Sequence, residues 1–359
     1  MYSACWRIAF RLAASHNKTM ETYALNQASA QAAKPALKDR FGRRVCYLRL
    51  SVTDRCDLRC SYCIPQGFSG FEEPKNWLSF DEIERVVAAF VRMGVPRVRI
   101  TGGEPLLRRH LPQLVIQLSS LQGMDDISLS TNATQLHKHA LALNQAGVRR
   151  INVSLDGLDK VCMEQITGRD SYASIIAGLQ AAKRAGFTPI KVNMVLMRGV
   201  NDLEVIRMAH YCFSEGFILR LIETMPMGDT GCSSQYMDVG SIRDQLVHEF
   251  NLIPAVAELG GGPARYGNTQ DGKGTIGFIS PISQHFCATC SRVRLSVDGT
   301  LYMCLGQDEK LEFRPLLRAG VIDDALDIAI CTAIELKPER HEFTENRHKI
   351  IRFMSQTGG

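Results

Sequence analysis

Residues 79–105 have the sequence SFDEIERVVAAFVRMGVPRVRITGGEP, and this stretch decides the fold class. Ser79 and Glu82 have the spacing of a helix-capping pair, and apolar residues then recur on one face of a helix. The pattern predicts a helix over Ser79–Gly94, since the final glycine ends it. The β-rich run Arg97–Thr101 follows directly and predicts a strand. The stretch is therefore one unit of an alternating arrangement of helices and strands.

Five further β-rich runs flank this strand, which gives the chain six strand candidates. They are spaced by about 25 to 50 residues, which leaves room for a crossover helix after each strand. The candidates are Val45–Val52, Arg97–Thr101, Asp126–Thr131, Arg150–Leu155, Ile190–Met197 and Phe217–Thr224. A second clear helix pattern covers Leu203–Gly216. The repetition predicts an α/β fold, a parallel sheet or barrel whose chemistry lies on loops at the carboxyl ends of the strands.

The alternation of strand and helix stops after Met225, where prolines and glycines interrupt it. The remaining chain predicts a helix over Ser241–Asn251, a β-rich stretch over Thr275–Cys304 that a cysteine loop breaks, and a helix over Asp323–Leu336. This region is expected to be an α+β appendage and not a further βα repeat.

Three parts are expected along the chain. They are a flexible N-terminal extension over residues 1–40, the βα region over residues 41–250 and the C-terminal region over residues 251–359. The first 19 residues carry Arg7, Arg11 and Lys18 and no acidic residue. Such a start is typical of an organelle presequence, of a bacterial start site placed upstream of Met20, or of a disordered tail.

Composition excludes several classes of protein. The chain has 359 residues, 45% of them hydrophobic and 22% charged, and no apolar run approaches the roughly 18 residues of a membrane span. The 42 basic and 37 acidic residues give a net charge of +5, which fits binding of a small polyanion as well as a weak nucleic-acid surface. Twelve cysteines in a chain this long indicate reduced thiols and not a small disulfide-rich secreted domain.

Three of these cysteines follow the first strand candidate within eight residues. Cys56, Cys60 and Cys63 form the pattern C-x3-C-x2-C in a polar loop. An iron–sulfur cubane takes one thiolate per iron, so three cysteines leave the fourth iron open to a small molecule. Zinc is the alternative, although structural zinc normally has four ligands.

Two further patterns lie at strand ends. The turn Thr101–Pro105 contains two glycines that let the backbone approach a ligand closely. Cys287, Cys290 and Cys304 form a second group, C-x2-C-x13-C, again suited to a cubane with an open iron. His285 would complete a zinc site instead.

Arg292 and Arg294 lie between the second and third cysteines of the second group. Strand alternation places both guanidinium groups on one face. Paired arginines beside a metal site suit a phosphate chain.

These patterns together resemble the radical S-adenosylmethionine superfamily, which has C-x3-C-x2-C after its first strand and a Gly-Gly-Glu-Pro-like turn after its second. The resemblance implies a partial (βα)6 barrel of the TIM type, with a C-terminal α+β appendage that carries a second iron–sulfur cluster. It further implies that the amino and carboxylate groups of S-adenosylmethionine chelate the open iron. One electron from the cluster then releases a 5'-deoxyadenosyl radical, which abstracts a hydrogen atom from the substrate.

Within that superfamily the chain resembles the family of molybdenum cofactor biosynthesis protein A, the GTP 3',8-cyclases, over residues 41–359. The resemblance rests on the two three-cysteine groups, the strand Leu48–Ser51 and the terminal Gly358-Gly359. It implies that the radical takes the hydrogen from ribose C3' of GTP and that C3' then attacks C8 of guanine. The product is (8S)-3',8-cyclo-7,8-dihydroguanosine 5'-triphosphate, the first intermediate of molybdenum cofactor biosynthesis.

The family resemblance also implies roles for individual residues. Two [4Fe-4S] clusters are held by Cys56, Cys60 and Cys63, the radical-generating set, and by Cys287, Cys290 and Cys304. The implied S-adenosylmethionine contacts are Tyr62, Gly103, Ser154 and Met225. The implied GTP contacts are Arg49, Arg99, Ser130, Lys191, Arg292, Val293 and Arg294, with Arg97 and Arg220 as weaker candidates for phosphate. The remaining cysteines, Cys5, Cys46, Cys162, Cys212, Cys232 and Cys331, are expected to be free thiols, mostly buried.

The chain departs from the family pattern at two places. Ser130–Ala133 replaces a common Asn-Gly turn, and Gln356-Thr357 precedes the final glycines where an aromatic and an aliphatic residue are usual. In this family the tail enters the active site, so the second departure bears on how it docks here.

The resemblance implies GTP as substrate, a downstream cyclic pyranopterin monophosphate synthase as partner and an electron donor for the cluster, and it allows a homodimer. It implies no nucleic acid and no membrane, and a bacterial cytoplasmic location ahead of the mitochondrial matrix. Two other functions compete. One is a radical maturase that acts on a peptide, which usually has more cysteines in its appendage. The other is a zinc-stabilised nucleic-acid-binding protein, which a charge of +5 without a basic, aromatic-interleaved run does not favour.

Overall fold

A computed structural model gives the structure of residues 36–65, 67–233, 235–255, 261–345 and 350–358. The basic segment of the first 19 residues lies outside these ranges, so its expected role stays a prediction. Residues from Leu37 onward form one unit. Leu37, inside the predicted extension, is buried in the core, and its carbonyl accepts a hydrogen bond from the amide of Val45 (2.8 Å).

In the described residues, twelve strands form a single mixed sheet. They are β1 (Tyr47–Ser51), β2 (Arg97–Thr101), β3 (Asp126–Thr131), β4 (Arg150–Ser154), β5 (Ile190–Leu196), β6 (Ile218–Glu223), β7 (Ile253–Pro254), β8 (Arg265–Asn268), β9 (Thr275–Ile279), β10 (Arg292–Leu295), β11 (Thr300–Tyr302) and β12 (Lys310–Glu312). The first six are parallel neighbours in chain order. All six strand predictions are confirmed, with ends that differ by at most two residues.

Helices follow each of the first six strands. The described helices are α1 (Phe80–Arg92), α2 (Leu111–Ser119), α3 (Leu136–Ala146), α4 (Lys160–Thr167), α5 (Tyr172–Arg184), α6 (Val205–Glu215), α7 (Gly228–Ser233), α8 (Val239–Phe250), α9 (Arg314–Arg318), α10 (Asp323–Glu335) and α11 (Met354–Thr357). This confirms the α/β prediction of six βα units. Within the described residues, none of the helices combines the length and apolarity that a membrane span needs.

The first six strands have two chemically different faces. In β1, Leu48 and Leu50 are buried in the hydrophobic core, whereas Tyr47 and Arg49 line a cavity on the opposite face. The other strands repeat this alternation with a period of two residues. One face therefore packs against the helices, and the other is free to carry polar side chains.

The C-terminal strands extend the sheet at both of its edges. β10 pairs in parallel with β1, and β9 pairs in parallel with β6. The sheet ends at β12 on one side and β7 on the other. The region predicted as an appendage therefore shares a sheet with the βα region, and its strand β10 lies next to β1, which the first cysteine group follows.

The expectation that the cysteines outside the two groups are mostly buried is wrong for the described residues. Cys212 is buried, Cys46, Cys162 and Cys232 are half-buried, and Cys331 is exposed on α10. Cys331 lies in a helix that contacts α1 by one face and leaves its other residues to solvent. Cys5 lies outside the described residues.

Ser79 begins α1 with the capping box that its sequence predicts, since the Ser79 hydroxyl accepts from the amide of Glu82 and the Glu82 carboxylate accepts from the amide of Ser79. Ser79→Ala should lower the free energy of unfolding by about 1 kcal/mol, because an orphan amide of the helix then loses its acceptor. Urea denaturation measures the change. Ser79→Asp, which retains a capping acceptor, should stay close to the wild type; an equal loss in both variants would contradict the capping role.

Candidate active site

A cavity of about 320 Å³ opens at the carboxyl ends of β1–β6. Residues at the ends of β2, β3, β4 and β6 line it, together with both cysteine loops and the C-terminal tail, which we define as residues 350–358. The volume lies in the range of small-molecule sites. The first cysteine loop and the Gly-Gly-Glu-Pro turn lie at this edge of the sheet, where the sequence analysis expects them.

The first cysteine group lies in the loop after β1, and Cys56, Cys60 and Cys63 all line the cavity. The loop is held by backbone hydrogen bonds from Arg59 and Ser61 to residues at the end of α4 (both 2.9 Å). Burial raises the pKa of all three thiols. A strongly bound cation would oppose this shift, because it stabilises thiolates.

The Gly-Gly-Glu-Pro turn after β2 packs against the same loop. A Cβ atom on Gly103 would lie 2.2 Å from the carbonyl oxygen of Arg55, so only glycine fits at this position. Glu104 is fully buried, and its carboxylate accepts hydrogen bonds from the Thr131 hydroxyl and the Asn132 amide (both 2.6 Å). Burial raises the pKa of Glu104 to about 7. The turn therefore connects the ends of β1, β2 and β3, which together form one wall of the cavity.

The second cysteine group reaches the cavity from the other end of the parallel strands. Cys287 and Cys290 lie on a short 3-10 turn before β10, and Cys304 follows β11; all three line the cavity. Burial opposes ionisation of Cys290, but the positive charges of Lys337 and Arg292 lower its pKa to about 7. The two groups therefore differ in their electrostatic surroundings.

Both groups have the donor set of an iron–sulfur cubane, since each offers three thiols to one space. Among the described residues, no three His, Cys, Asp or Glu side chains converge closely enough to hold one metal ion. A cubane does not need such convergence, because each thiolate binds a different iron. His285 does not line the cavity, and its ring packs edge-on against His341 with centroids 5.8 Å apart.

Three arginines form a row across neighbouring strands. Arg99, Arg49 and Arg294 are register partners on β2, β1 and β10, and all three line the cavity. Burial, followed by Arg294 and Arg99, holds the pKa of Arg49 well below its usual range. Burial and Arg292 lower the pKa of Arg294 to about 9. The Nε atom of Arg49 is buried without a hydrogen-bond partner, so this row is suited to accept an anion.

The other residues predicted to contact GTP divide into two groups. Ser130 and Arg292 line the cavity, and so does Arg220, a weaker candidate. Lys191 lies on the same face of β5 as the cavity residue Asn193, two positions nearer the start of the strand. The cavity-lining residues do not include the side chains of Arg97 and Val293, and Val293 is buried in the core.

The four residues predicted to contact S-adenosylmethionine, Tyr62, Gly103, Ser154 and Met225, all line the cavity. The Tyr62 hydroxyl donates to Asp156 (2.8 Å), and the other carboxylate oxygen of Asp156 accepts from the amide of Val195 (2.8 Å). Asp156 is a residue that the sequence analysis misses. It fixes Tyr62 through a contact that spans 94 residues of chain, which no local pattern could have indicated.

The C-terminal tail is held at its base by two neighbours. Arg352 donates to the carbonyl oxygens of Leu305 (2.7 Å) and Gln307 (2.5 Å), which follow Cys304. The ring of Phe353 packs against that of Phe68 with centroids 5.0 Å apart. The tail is therefore attached to both the second cysteine loop and the segment after the first.

The end of the tail enters the cavity. Met354 and Ser355 line it, and Arg294 donates a hydrogen bond to the carbonyl oxygen of Gly358. The tail is thus docked in the structure, although its Gln356-Thr357 pair departs from the family pattern.

Two family models match the chain. The radical SAM superfamily matches residues 50–212, and the family described as Molybdenum Cofactor Synthesis C matches residues 217–343. Together they cover the end of β1, all of β2–β6 and most of the C-terminal region.

Curated relatives are similar over most of their length. A GTP 3',8-cyclase of Rhizobium etli (strain CIAT 652) is 44% identical over 329 residues, 89% of this chain and 94% of the relative. Another, of Hydrogenovibrio crunogenus, is 43% identical over 330 residues, 90% of this chain and 100% of the relative. A third, of Paracoccus denitrificans, is 41% identical over 339 residues, 92% and 98% of the two chains.

Solved structures show a similar fold. The crystal structure of Streptococcus suis SuiB bound to S-adenosylmethionine superimposes with a TM-score of 0.57 at 15% identity, over 89% of this chain and 73% of SuiB. At this level of identity the similarity concerns the fold.

The docked position of the tail requires glycine at residue 358. Gly358 has φ 77°, and a Cβ atom there would lie 2.3 Å from Cγ2 of Thr101. Gly358→Ala should therefore shift the tail toward an undocked state by roughly tenfold, since an alanine in left-handed backbone costs about 1–2 kcal/mol before the clash is counted. The rate at which carboxypeptidase releases the last residues measures undocking.

Thr101→Ser removes the clashing methyl group and is the matched second variant. The double variant Thr101→Ser/Gly358→Ala should recover part of the protection, because the backbone strain persists while the clash is relieved. Equal release rates for wild type and Gly358→Ala would show that the tail does not depend on this contact.

Proposed function

This chain belongs to the GTP 3',8-cyclase family of the radical SAM superfamily, and we propose that its cavity converts GTP into (8S)-3',8-cyclo-7,8-dihydroguanosine 5'-triphosphate. This is the first step of molybdenum cofactor biosynthesis, in accord with the C-terminal family match. One observation of the structure supports the proposal above the others: two three-cysteine groups and a row of three arginines line a single cavity. A radical generator and a polyanionic nucleotide can therefore meet in one space.

The thiols of Cys56, Cys60 and Cys63 would hold the radical-generating [4Fe-4S] cluster, and those of Cys287, Cys290 and Cys304 the second. When bound, the first cluster supplies the electron that cleaves S-adenosylmethionine and so provides the radical that abstracts hydrogen. The protein's part is to position the reactants. Gly103 leaves room beside the first cysteine loop, and Tyr62, Ser154 and Met225 would border S-adenosylmethionine on the cavity wall.

The basic row would bind the triphosphate of GTP, which carries a charge of about −4. Arg49, Arg99 and Arg294 present their guanidinium groups in register, and the unpartnered Nε of Arg49 offers a donor to a phosphate oxygen. Arg292, Ser130 and Lys191 would complete the GTP contacts. Val293 would contribute through its backbone, since its side chain lies in the core.

The finer partner and location assignments belong to the same proposal. We expect a cyclic pyranopterin monophosphate synthase to take the product and a one-electron donor to reduce the cluster, and the proposal allows a homodimer. The relatives named above are bacterial proteins, and the six cysteines of the two groups form no disulfides with one another, which supports the cytoplasm as the compartment.

The function is tested with anaerobically reconstituted protein, S-adenosylmethionine, GTP and a reductant, by measuring 5'-deoxyadenosine and the cyclised nucleotide. Wild type should form both. Cys60→Ala should form neither, because the radical-generating site has lost a ligand. The double variant Arg292→Ala/Arg294→Ala should bind GTP at least tenfold more weakly, since each charge-assisted hydrogen bond contributes about 1.5–3 kcal/mol, while still releasing some 5'-deoxyadenosine.

Matched control variants distinguish these roles from a general loss of stability or activity. Cys331→Ala removes an exposed thiol on α10, and Arg243→Ala removes an exposed arginine that pairs with Asp244; both should leave product formation unchanged. Normal cleavage of S-adenosylmethionine in Cys60→Ala, or unchanged GTP affinity in the arginine double variant, would refute the respective assignment. Wild type with intact clusters but no cyclised nucleotide would refute the function.

The affinity for GTP should depend on pH through Lys191. Burial, then Arg220, Arg150 and Arg99, lower the pKa of Lys191 to about 7. The ammonium form, which attracts phosphate, is therefore lost as the pH rises through this value. Between pH 6 and 9, the wild-type affinity should fall by about tenfold more than that of Lys191→Met, because the variant has no such charge to lose.

Isothermal titration calorimetry at several pH values measures this difference. Ionisation of GTP itself is common to both proteins and cancels in the comparison. Lys273→Met, at an exposed lysine, should retain the wild-type profile. Parallel profiles for wild type and Lys191→Met would show that Lys191 does not sense the triphosphate.

A further inference from the structure

A buried lysine lies beside the second cysteine group. Lys337 follows α10 and is 1% exposed. Its Nζ atom lies 2.6 Å from the carbonyl oxygen of Met303, 2.9 Å from that of Arg292 and 3.7 Å from Sγ of Cys290. Met303 immediately precedes Cys304, so one side chain connects the strands that carry the second and third cysteines.

The three contacts match an ammonium group. An ammonium has three N–H donors and no acceptor, whereas a neutral amine has two donors. Each of the three partners is an acceptor, so the surroundings use all the donors of the charged form. A buried charge of this kind is retained where it is fully hydrogen-bonded and faces a negative partner. The neighbouring thiolate is such a partner.

The two cysteine groups differ in the charged groups nearest their thiols. At the first group, Glu104 and Asp57 raise the pKa of Cys56 after the larger effect of burial, and Arg59 donates to the carbonyl oxygen of Cys56 (2.7 Å). Cations surround the second group, where Arg43 donates to the carbonyl oxygen of Cys287 (2.9 Å) and Lys337 contacts Cys290. A cluster becomes more negative when it is reduced, so nearby positive charge favours its reduced form.

We propose that Lys337 is a positioning residue of the second cluster, which holds Cys290 and Cys304 in register and raises the reduction potential of that cluster through its charge. This inference rests on the proposed function, since it takes Cys287, Cys290 and Cys304 as cluster ligands. The second cluster would then accept an electron more readily than it would beside a neutral residue.

The experiment uses the full chain with Cys56→Ala, Cys60→Ala and Cys63→Ala, so that only the second cluster is present. Lys337→Gln and Lys337→Arg are introduced into this parent, with Lys310→Gln, at an exposed lysine on β12, as the matched control. An anaerobic redox titration followed by electron paramagnetic resonance gives the midpoint potential of each protein. Iron and sulfide content and thermal unfolding of the cluster-free chains are measured alongside.

Lys337→Gln should have a more negative midpoint potential than the parent, while Lys310→Gln is unchanged and Lys337→Arg lies nearer the parent. A Lys337→Gln protein with its cluster present and an unchanged potential overturns the proposal. If both Lys337 variants lack iron, the unfolding temperature of the cluster-free chains decides between two explanations. An unchanged temperature supports a role of Lys337 in holding the cluster. A lowered temperature shows that Lys337 stabilises the fold in general and overturns the proposal. A parent that binds no iron overturns the assignment of the second cluster itself, and this inference with it.

Discussion

The period-two alternation of the parallel strands is the constraint on which the rest of the structure depends. Most parallel sheets are apolar on both faces, because helices cover both. Here the residues of one parity pack against helices, and those of the other parity include arginines, serines and an asparagine that line a cavity. A shift of register by one residue would exchange the two faces completely. Burial of the apolar face therefore fixes the position of every polar side chain on the other.

The position of β1 in the sheet follows from the same requirement and explains how two distant cysteine groups come together. β1 lies between β2 and β10, parallel to both. Its following loop carries the first cysteines, and the segments that flank β10 carry the second. The first loop follows the carboxyl end of β1, whereas Cys287 and Cys290 precede the amino end of β10. Pairing of residues 47–50 with residues 292–295 therefore places the two groups at opposite ends of one pair of strands, and both line the same cavity. The arginine row is a second product of this pairing, since Arg49 has Arg99 on one side and Arg294 on the other.

The sequence predicts the parts of this arrangement that local patterns specify. The strands of the βα region, the capping box of α1, the cysteine loops and the shared face of Arg292 and Arg294 each depend on neighbours within a few residues, and the structure has them. Lys337, Arg352 and Asp156 could not be assigned in this way, because their partners lie 34 to 94 residues away along the chain. The prediction that Cys331 is buried is wrong for a related reason. Whether a thiol on a helix is buried depends on which face of the helix packs against the rest of the protein.

The positive charges that line the cavity are electrostatically unfavourable without a bound anion. This property links the structure of the cavity to the proposed function. Burial and mutual repulsion lower the pKa of Arg49, Arg220 and Arg294 together, so the folded chain carries a free-energy cost at this place. A carbonyl of the tail, at Gly358, offsets part of that cost by accepting a hydrogen bond from Arg294. A carbonyl dipole compensates a guanidinium charge less than a phosphate does. Under the proposed function, a triphosphate in the row would therefore supply the compensation that the tail carbonyl does not, and it would compete with the contact between Arg294 and Gly358.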